Sequence, residues 1–151
     1  MRAIGAQGLA LIKRFEGFEP QIYLDAAGIA TIGYGHVVRA GEVFAGGIDR
    51  AEAEALLQQD VQIAQGEVLR LVRVPLSQPQ YDALVCFTYN VGGGALQRST
   101  LRRKVNREAH ADVPAEFMRW VFAGGRRLRG LVRRRRAEAA LYDSGTGAQT
   151  S

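Results

Sequence analysis

The chain has 151 residues, 47% hydrophobic and 23% charged, enough apolar material for the core of one domain or of two tightly joined lobes. Its apolar stretches are short and broken by charge or glycine, which excludes a membrane-spanning helix. The net charge of +5 is uneven, −3 over residues 1–97 and +8 over residues 98–151, so the C-terminal half suits a polyanion: nucleic acid, an anionic membrane or an acidic cell wall.

Leu9, Ile12 and Phe15 fall at helical spacing and predict a helix over about 6–15, with Glu16 at or just past its end. The apolar start of this segment is too short for a secretory signal, because Lys13 and Arg14 interrupt it. No export signal is therefore expected. Residues 22–38, IYLDAAGIATIGYGHVV, mix β-branched and aromatic residues with glycine and carry a turn signal at Asp25–Gly28. They predict two or three short antiparallel strands, with Gly33 and Gly35 marking close backbone approach.

A glycine-rich loop leads to Asp49, with Glu52 three residues on, a variant of the capping box. The helix that follows continues through Leu69, long enough to join two lobes. Pro75 and Pro79 mark a break, and Gln80–Val91 reads as an apolar helix closed by Gly92–Gly94. A basic helix after Ser99, a run from Ala115 through Trp120, a turn at Gly124–Gly125 and a last helix over about 130–143 complete the chain. The tail from 144 reads as disordered. The fold class is α+β, with the sheet confined to an N-terminal lobe and helices filling the C-terminal one. The expected division is an N-terminal lobe over about 16–60 and a C-terminal lobe over about 75–143 that includes the first helix, 1–15.

Cys86, the one cysteine, sits in the apolar run ALVCF and reads as a buried, inert thiol. No metal or cofactor is expected, since neither histidine has a second ligand at helical spacing.

Two carboxylates stand out. Glycosidic hydrolysis needs a sheltered proton donor and a second carboxylate that stays ionised. Glu16 is flanked by Phe15 and Phe18, Asp25 lies in a polar turn, and Thr31 offers a hydroxyl to hold a water. The spacing read whole, FEGFEPQIYLDAAGIATIGYGH (15–36), resembles the active-site segment of T-even and lambdoid phage lysozymes. QPQYDALVCFTYNVGGGALQRSTLRRKVN (78–106) is similar to their C-terminal lobe, and RWVFAGGRRLRGLVRRRRAE (119–138) to the end of the lambdoid members.

The resemblance implies a lysozyme fold and cleavage of the β-1,4 bond between N-acetylmuramic acid and N-acetylglucosamine in peptidoglycan. It implies Glu16 as general acid, Asp25 as base and Thr31 as water holder. Val37, Tyr89, Asn90, Ser99 and Thr100 would line the sugar groove, although Tyr89 also reads as a core residue. His36 and Asp60 would form a structural ion pair. It further implies inversion at the anomeric carbon, with carboxylates roughly 6.5–9.5 Å apart. The partners implied are peptidoglycan and a holin, for a monomer that waits in the host cytoplasm without stable membrane insertion. Nucleic acid is not an expected partner.

The arginines at 126, 127, 129 and 133–136 read as a solvated face, as an attraction toward the anionic envelope, or as a means of nucleic-acid binding or membrane disruption. One of them, Arg133 or Arg134, would face Glu16. Two rival functions fit parts of the pattern. A lytic transglycosylase would need Glu16 without Asp25 and Thr31, and a non-catalytic cationic wall binder would not need Glu16.

Overall fold

The computed structural model describes residues 1–149. Helix α1 spans Ala6–Glu16, so Glu16 is its last residue. Its N-cap, Gly5, offers no side chain, and the first turn is capped from another helix instead. Buried Asp82 accepts hydrogen bonds from the backbone N–H of Gly5 at 2.8 Å and of Gly8 at 3.3 Å. A carboxylate at a helix N-terminus satisfies unpaired donors and complements the helix dipole. Gly8 permits this approach, because a Cβ there would lie 2.8 Å from the Asp82 Cβ.

Strands β1 (Glu19–Leu24), β2 (Ala30–Gly33) and β3 (His36–Val37) form an antiparallel sheet in that order. The β1–β2 turn is the Asp25–Gly28 turn read from the sequence, with Gly28 at φ +79° and its N–H donating to the Asp25 carbonyl at 2.9 Å. Helix α2 (Arg50–Leu71) has the predicted capping box, Asp49 accepting from the Glu52 N–H at 2.8 Å and Glu52 accepting in return at 3.2 Å. One end of α2 packs on β2 and β3 and the other on the helical lobe, so it connects the two.

Helix α3 (Gln78–Val91) is the buried axis of the C-terminal lobe and packs on α1, α2 and the last helix. It begins two residues before the predicted start. Pro79 is inside its first turn, where a missing N–H costs nothing, and Ser77 is the cap. Gly92 closes α3 as expected. The glycines after it, however, open a further helix, α4 (Gly93–Arg98), followed by α5 (Thr100–Asn106), a 3₁₀ turn at His110–Asp112 and α6 (Val113–Phe117).

The strands are not confined to the N-terminal lobe. Gly124 and Gly125, both at positive φ, turn a two-stranded ribbon of β4 (Phe122–Ala123) and β5 (Arg126–Arg127). Helix α7 (Arg129–Ser144) follows. After α7 a 3₁₀ turn spans Thr146–Gln149, and Gln80 donates to the Thr146 hydroxyl. The last two residues of the expected tail lie outside the described residues.

A single apolar cluster runs from Ile32, Ile48 and Leu57 beneath the sheet to Leu84, Phe87 and Phe117 in the helical lobe. Phe87 meets the Phe117 and Trp120 rings edge-on, at 5.4 and 5.7 Å. Cys86 is fully buried within it, and that burial, with Glu138 nearby, pushes its thiol pKa well up. Such a thiol is inert. No helix among the described residues is long and apolar enough to cross a membrane.

Candidate active site

The end of α1 delivers Glu16 to a cleft of about 410 Å³ between the sheet and the helical lobe. Asp25, Gly35, Val37, Tyr89 and Asn90 line the same cleft. Four residues expected from the sequence are therefore brought together around Glu16: Asp25, Val37, Tyr89 and Asn90.

The two oxygens of Glu16 have different surroundings. Oε2 accepts from the guanidinium of Arg134 at 2.5 Å. Oε1 rests against Gly35, where a Cβ would lie 2.6 Å from it. Gly35 has φ +82°, so glycine serves there both the backbone and the carboxyl that packs on it. The carboxyl is thus held at one oxygen with the other turned to the strand side. Its side chain is 20% exposed, which leaves it accessible within a partly sheltered setting.

Arg134 is 4% exposed and donates also to Glu138 at 3.1 Å and to the Cys86 carbonyl at 3.1 Å. Glu138 is fully buried and accepts from Arg135 at 2.6 Å. Arg135 in turn donates to the Trp120 carbonyl at 2.9 Å and to the Asn90 side chain, and stacks over Phe87 at 5.0 Å. Two arginines and two glutamates form one charge-balanced chain from Glu16 to Asn90. Low dielectric makes such a chain rigid when every member is satisfied.

This network was only half visible in the sequence. An arginine facing Glu16 was expected, and Arg134 takes that place. The 133–136 run is not one solvated face, because Arg134 and Arg135 point inward and only Arg133 and Arg136 are exposed. Glu138 was missed, although its i+4 and i+3 spacing from the two arginines was a readable signal.

Asp25 accepts from the N–H groups of Ala27 at 2.8 Å and Ile29 at 2.9 Å, both on Oδ1. This is an Asx turn, and it fixes the carboxylate while leaving Oδ2 without a protein partner among the described residues. Thr31 is buried on β2 and is not among the cleft-lining residues. Its hydroxyl donates to the Ile29 carbonyl at 2.9 Å, so its oxygen can act toward a further group only as an acceptor.

Tyr89 is both groove and core. It lines the cleft, packs on the apolar cluster and donates to the Tyr34 carbonyl at 2.9 Å. Burial, with Asp60 and Glu16 nearby, raises its phenol pKa, so it remains a neutral donor. Ser99 and Thr100 are placed elsewhere, in a depression with Glu116, Arg119 and Trp120. Ser99 acts as the cap of α5, accepting from the Arg102 N–H at 3.0 Å and donating to the Leu96 carbonyl at 2.7 Å.

His36 is buried between Asp60 at 2.7 Å and Glu42 at 2.9 Å. Burial by itself would lower its pKa. The hydrogen bonds to Glu42 and Asp60 outweigh it, and the net direction is up. The predicted His36–Asp60 contact is present, and Glu42 is a third member that the sequence reading did not name.

A family model described as phage lysozyme matches residues 13–138. The chain belongs to the phage lysozyme family. It is 40% identical to the endolysin of Acyrthosiphon pisum secondary endosymbiont phage 1, over 93% of this chain and 98% of that one. It is 41% identical to the Bacillus phage PZA endolysin over 95% of its own length, while spanning only 56% of that relative. The solved endolysin from Escherichia coli O157:H7 phage FAHEc1 superposes with a TM-score of 0.82 at 35% identity, covering 93% of each chain. The α+β lysozyme-like fold is therefore shown, and the chain is a peptidoglycan-hydrolysing glycoside hydrolase of the endolysin kind.

Proposed function

We propose that this lysozyme cleaves the β-1,4 bond between N-acetylmuramic acid and N-acetylglucosamine by direct attack of water, with inversion. Glu16 protonates the leaving oxygen and Asp25 takes the proton of the attacking water. The observation that carries this reading is the shared cleft of Glu16 and Asp25, each with one oxygen fixed by the protein. Thr31, buried on β2 outside the cleft lining with its proton committed to Ile29, makes no contact with that water in this reading. Val37, Tyr89 and Asn90 bind sugar along the cleft. Ser99 and Thr100, in their separate depression, receive no sugar contact in this reading. The enzyme acts as a monomer on the cell wall after a holin opens the host membrane.

The test is digestion of purified peptidoglycan by wild type and Glu16→Gln, with the fresh products read by proton NMR and mass spectrometry. The reading expects hydrated muropeptides in the α-anomer from wild type and none from Glu16→Gln. A β-anomer sinks inversion, anhydro products sink hydrolysis, and an active Glu16→Gln sinks the assignment of the acid.

A further inference from the structure

Glu16 and Asn90 also line a second pocket, of about 610 Å³, which Asp25 does not reach. The two pockets adjoin at Glu16, and their charges differ. Besides Glu16, the first holds Asp25, Asp60 and Glu67 against the single cation Arg39. The second holds Arg14, Arg133 and Arg134, with Glu16 its one acid. Arg134 is spent on Glu16, Glu138 and the Cys86 carbonyl. Arg14 and Arg133 are not spent. Both are exposed, and neither has an acidic partner among the described residues. The Arg14 guanidinium lies over the Phe15 ring at 4.8 Å, which orients it with no anion consumed.

We infer that this second pocket is an anion subsite on the leaving-group side of the cut, where Arg14 and Arg133 take carboxylates of the peptide stem carried by the glycan. The inference rests on the proposed roles of Glu16 and Asp25. A general acid faces the leaving sugar and a water-activating base faces the anomeric carbon. A pocket that contains Glu16 and lacks Asp25 is accordingly where the leaving strand lies. In intact peptidoglycan the sugars are neutral, the lactyl carboxyl of each muramic acid being held in amide linkage, and the stem of the muramic acid next after the leaving N-acetylglucosamine supplies the carboxylates. Guanidinium forks match a carboxylate bidentately, and two unpaired forks from different helices define where it sits. The acidic first pocket repels the same stem, so the charge gradient along the groove sets its direction of binding.

The experiment compares kcat/KM on peptidoglycan with free stem carboxylates with that on the same peptidoglycan after those carboxylates are capped as neutral amides. Arg14→Gln with Arg133→Gln is expected to lower the ratio of free-acid to amide-capped substrate about 3- to 10-fold, through KM, the effect of one or two charge-assisted contacts at an exposed site. Arg126→Gln with Arg127→Gln removes the same charge from the β4–β5 ribbon, outside the pocket, and is expected to keep the wild-type ratio. An unchanged ratio in the Arg14/Arg133 variant overturns the subsite. An equal fall in the ribbon variant overturns it too, since the effect is then the general field. A deficit that follows removal of wall phosphate polymers instead of amide capping of the stems assigns the anion to phosphate and overturns the carboxylate. If wild type releases no reducing ends from either substrate, the proposed function itself has failed.

Discussion

Arg134 holds Glu16 by a 2.5 Å ion pair between residues 118 positions apart in sequence. The last helix thereby sets the orientation of a carboxyl delivered by the first. Because Glu138 and the Cys86 carbonyl fix the same guanidinium, the arm that reaches Glu16 has no freedom of its own.

Arg134→Lys should expose this positioning. A single ammonium keeps the charge and cannot serve Glu16, Glu138 and the Cys86 carbonyl at once. We expect kcat to fall about tenfold, a loss of roughly 1.4 kcal/mol in the transition state, with KM little changed. Arg134→Ala should also cost about 3 kcal/mol of stability, since it leaves buried Glu138 with one partner in place of two. Steady-state kinetics beside urea unfolding separates the two effects.

Gly35→Ala tests the other oxygen of Glu16. The new methyl meets Oε1, and the backbone is at positive φ. The expected result is a stability loss of about 1–2 kcal/mol and at least a tenfold fall in kcat. Gly46→Ala has a similar φ and open space around it, so it should lose stability without the fall in kcat.

Asp82 is the cap that α1 lacks in its own sequence. Asp82→Ala leaves the N–H groups of Gly5 and Gly8 unpaired and should lower unfolding free energy by about 2 kcal/mol. Asp82→Asn retains an acceptor and should lose about half as much. Urea midpoints at constant m-value decide it. Equal losses in the two variants would argue against the capping role.

His36 makes stability depend on pH. Its folded pKa lies above the ordinary 6.5, so its contribution is complete below that value and is lost as pH rises through the folded pKa. Glu42 is shifted the other way, by the Arg39 backbone N–H first and by His36 second. Its contribution is present above its ordinary 4.5 and is lost as pH falls through the lowered value. Thermal melts from pH 5 to 9 should show the midpoint declining on the alkaline side in wild type, and a flatter curve in His36→Gln.

The elements were legible where the signal was local. The Asp49–Glu52 box, the Asp25–Gly28 turn and the apolar spacing of α1 are short-range patterns, and the structure repeats them. The readings that failed were also local. Pro79 looks like a break and is a first-turn residue, while Gly93 and Gly94 look like a stop and open α4. Pro79 costs nothing in a first turn, whereas at Gly93 and Gly94 packing of α4 on α2 and α3 outweighed an intrinsic preference of about 1 kcal/mol per glycine.

The site was legible in its acids and not in their company. Glu16 and Asp25 were singled out by the resemblance of the segment 15–36 to phage lysozymes, and the structure places both on one cleft. By sequence alone the arginine run was one charged stretch. Only the tertiary structure divided it, turning Arg134 and Arg135 onto Glu138 and leaving Arg133 beside a second pocket. The physical reason is that a helix shows its arginines on every side until a neighbouring helix covers one face. Which face is covered depends on where α3 lies, its Cys86 carbonyl being 48 positions before Arg134, and on the cost of burying a guanidinium that has no acid to meet.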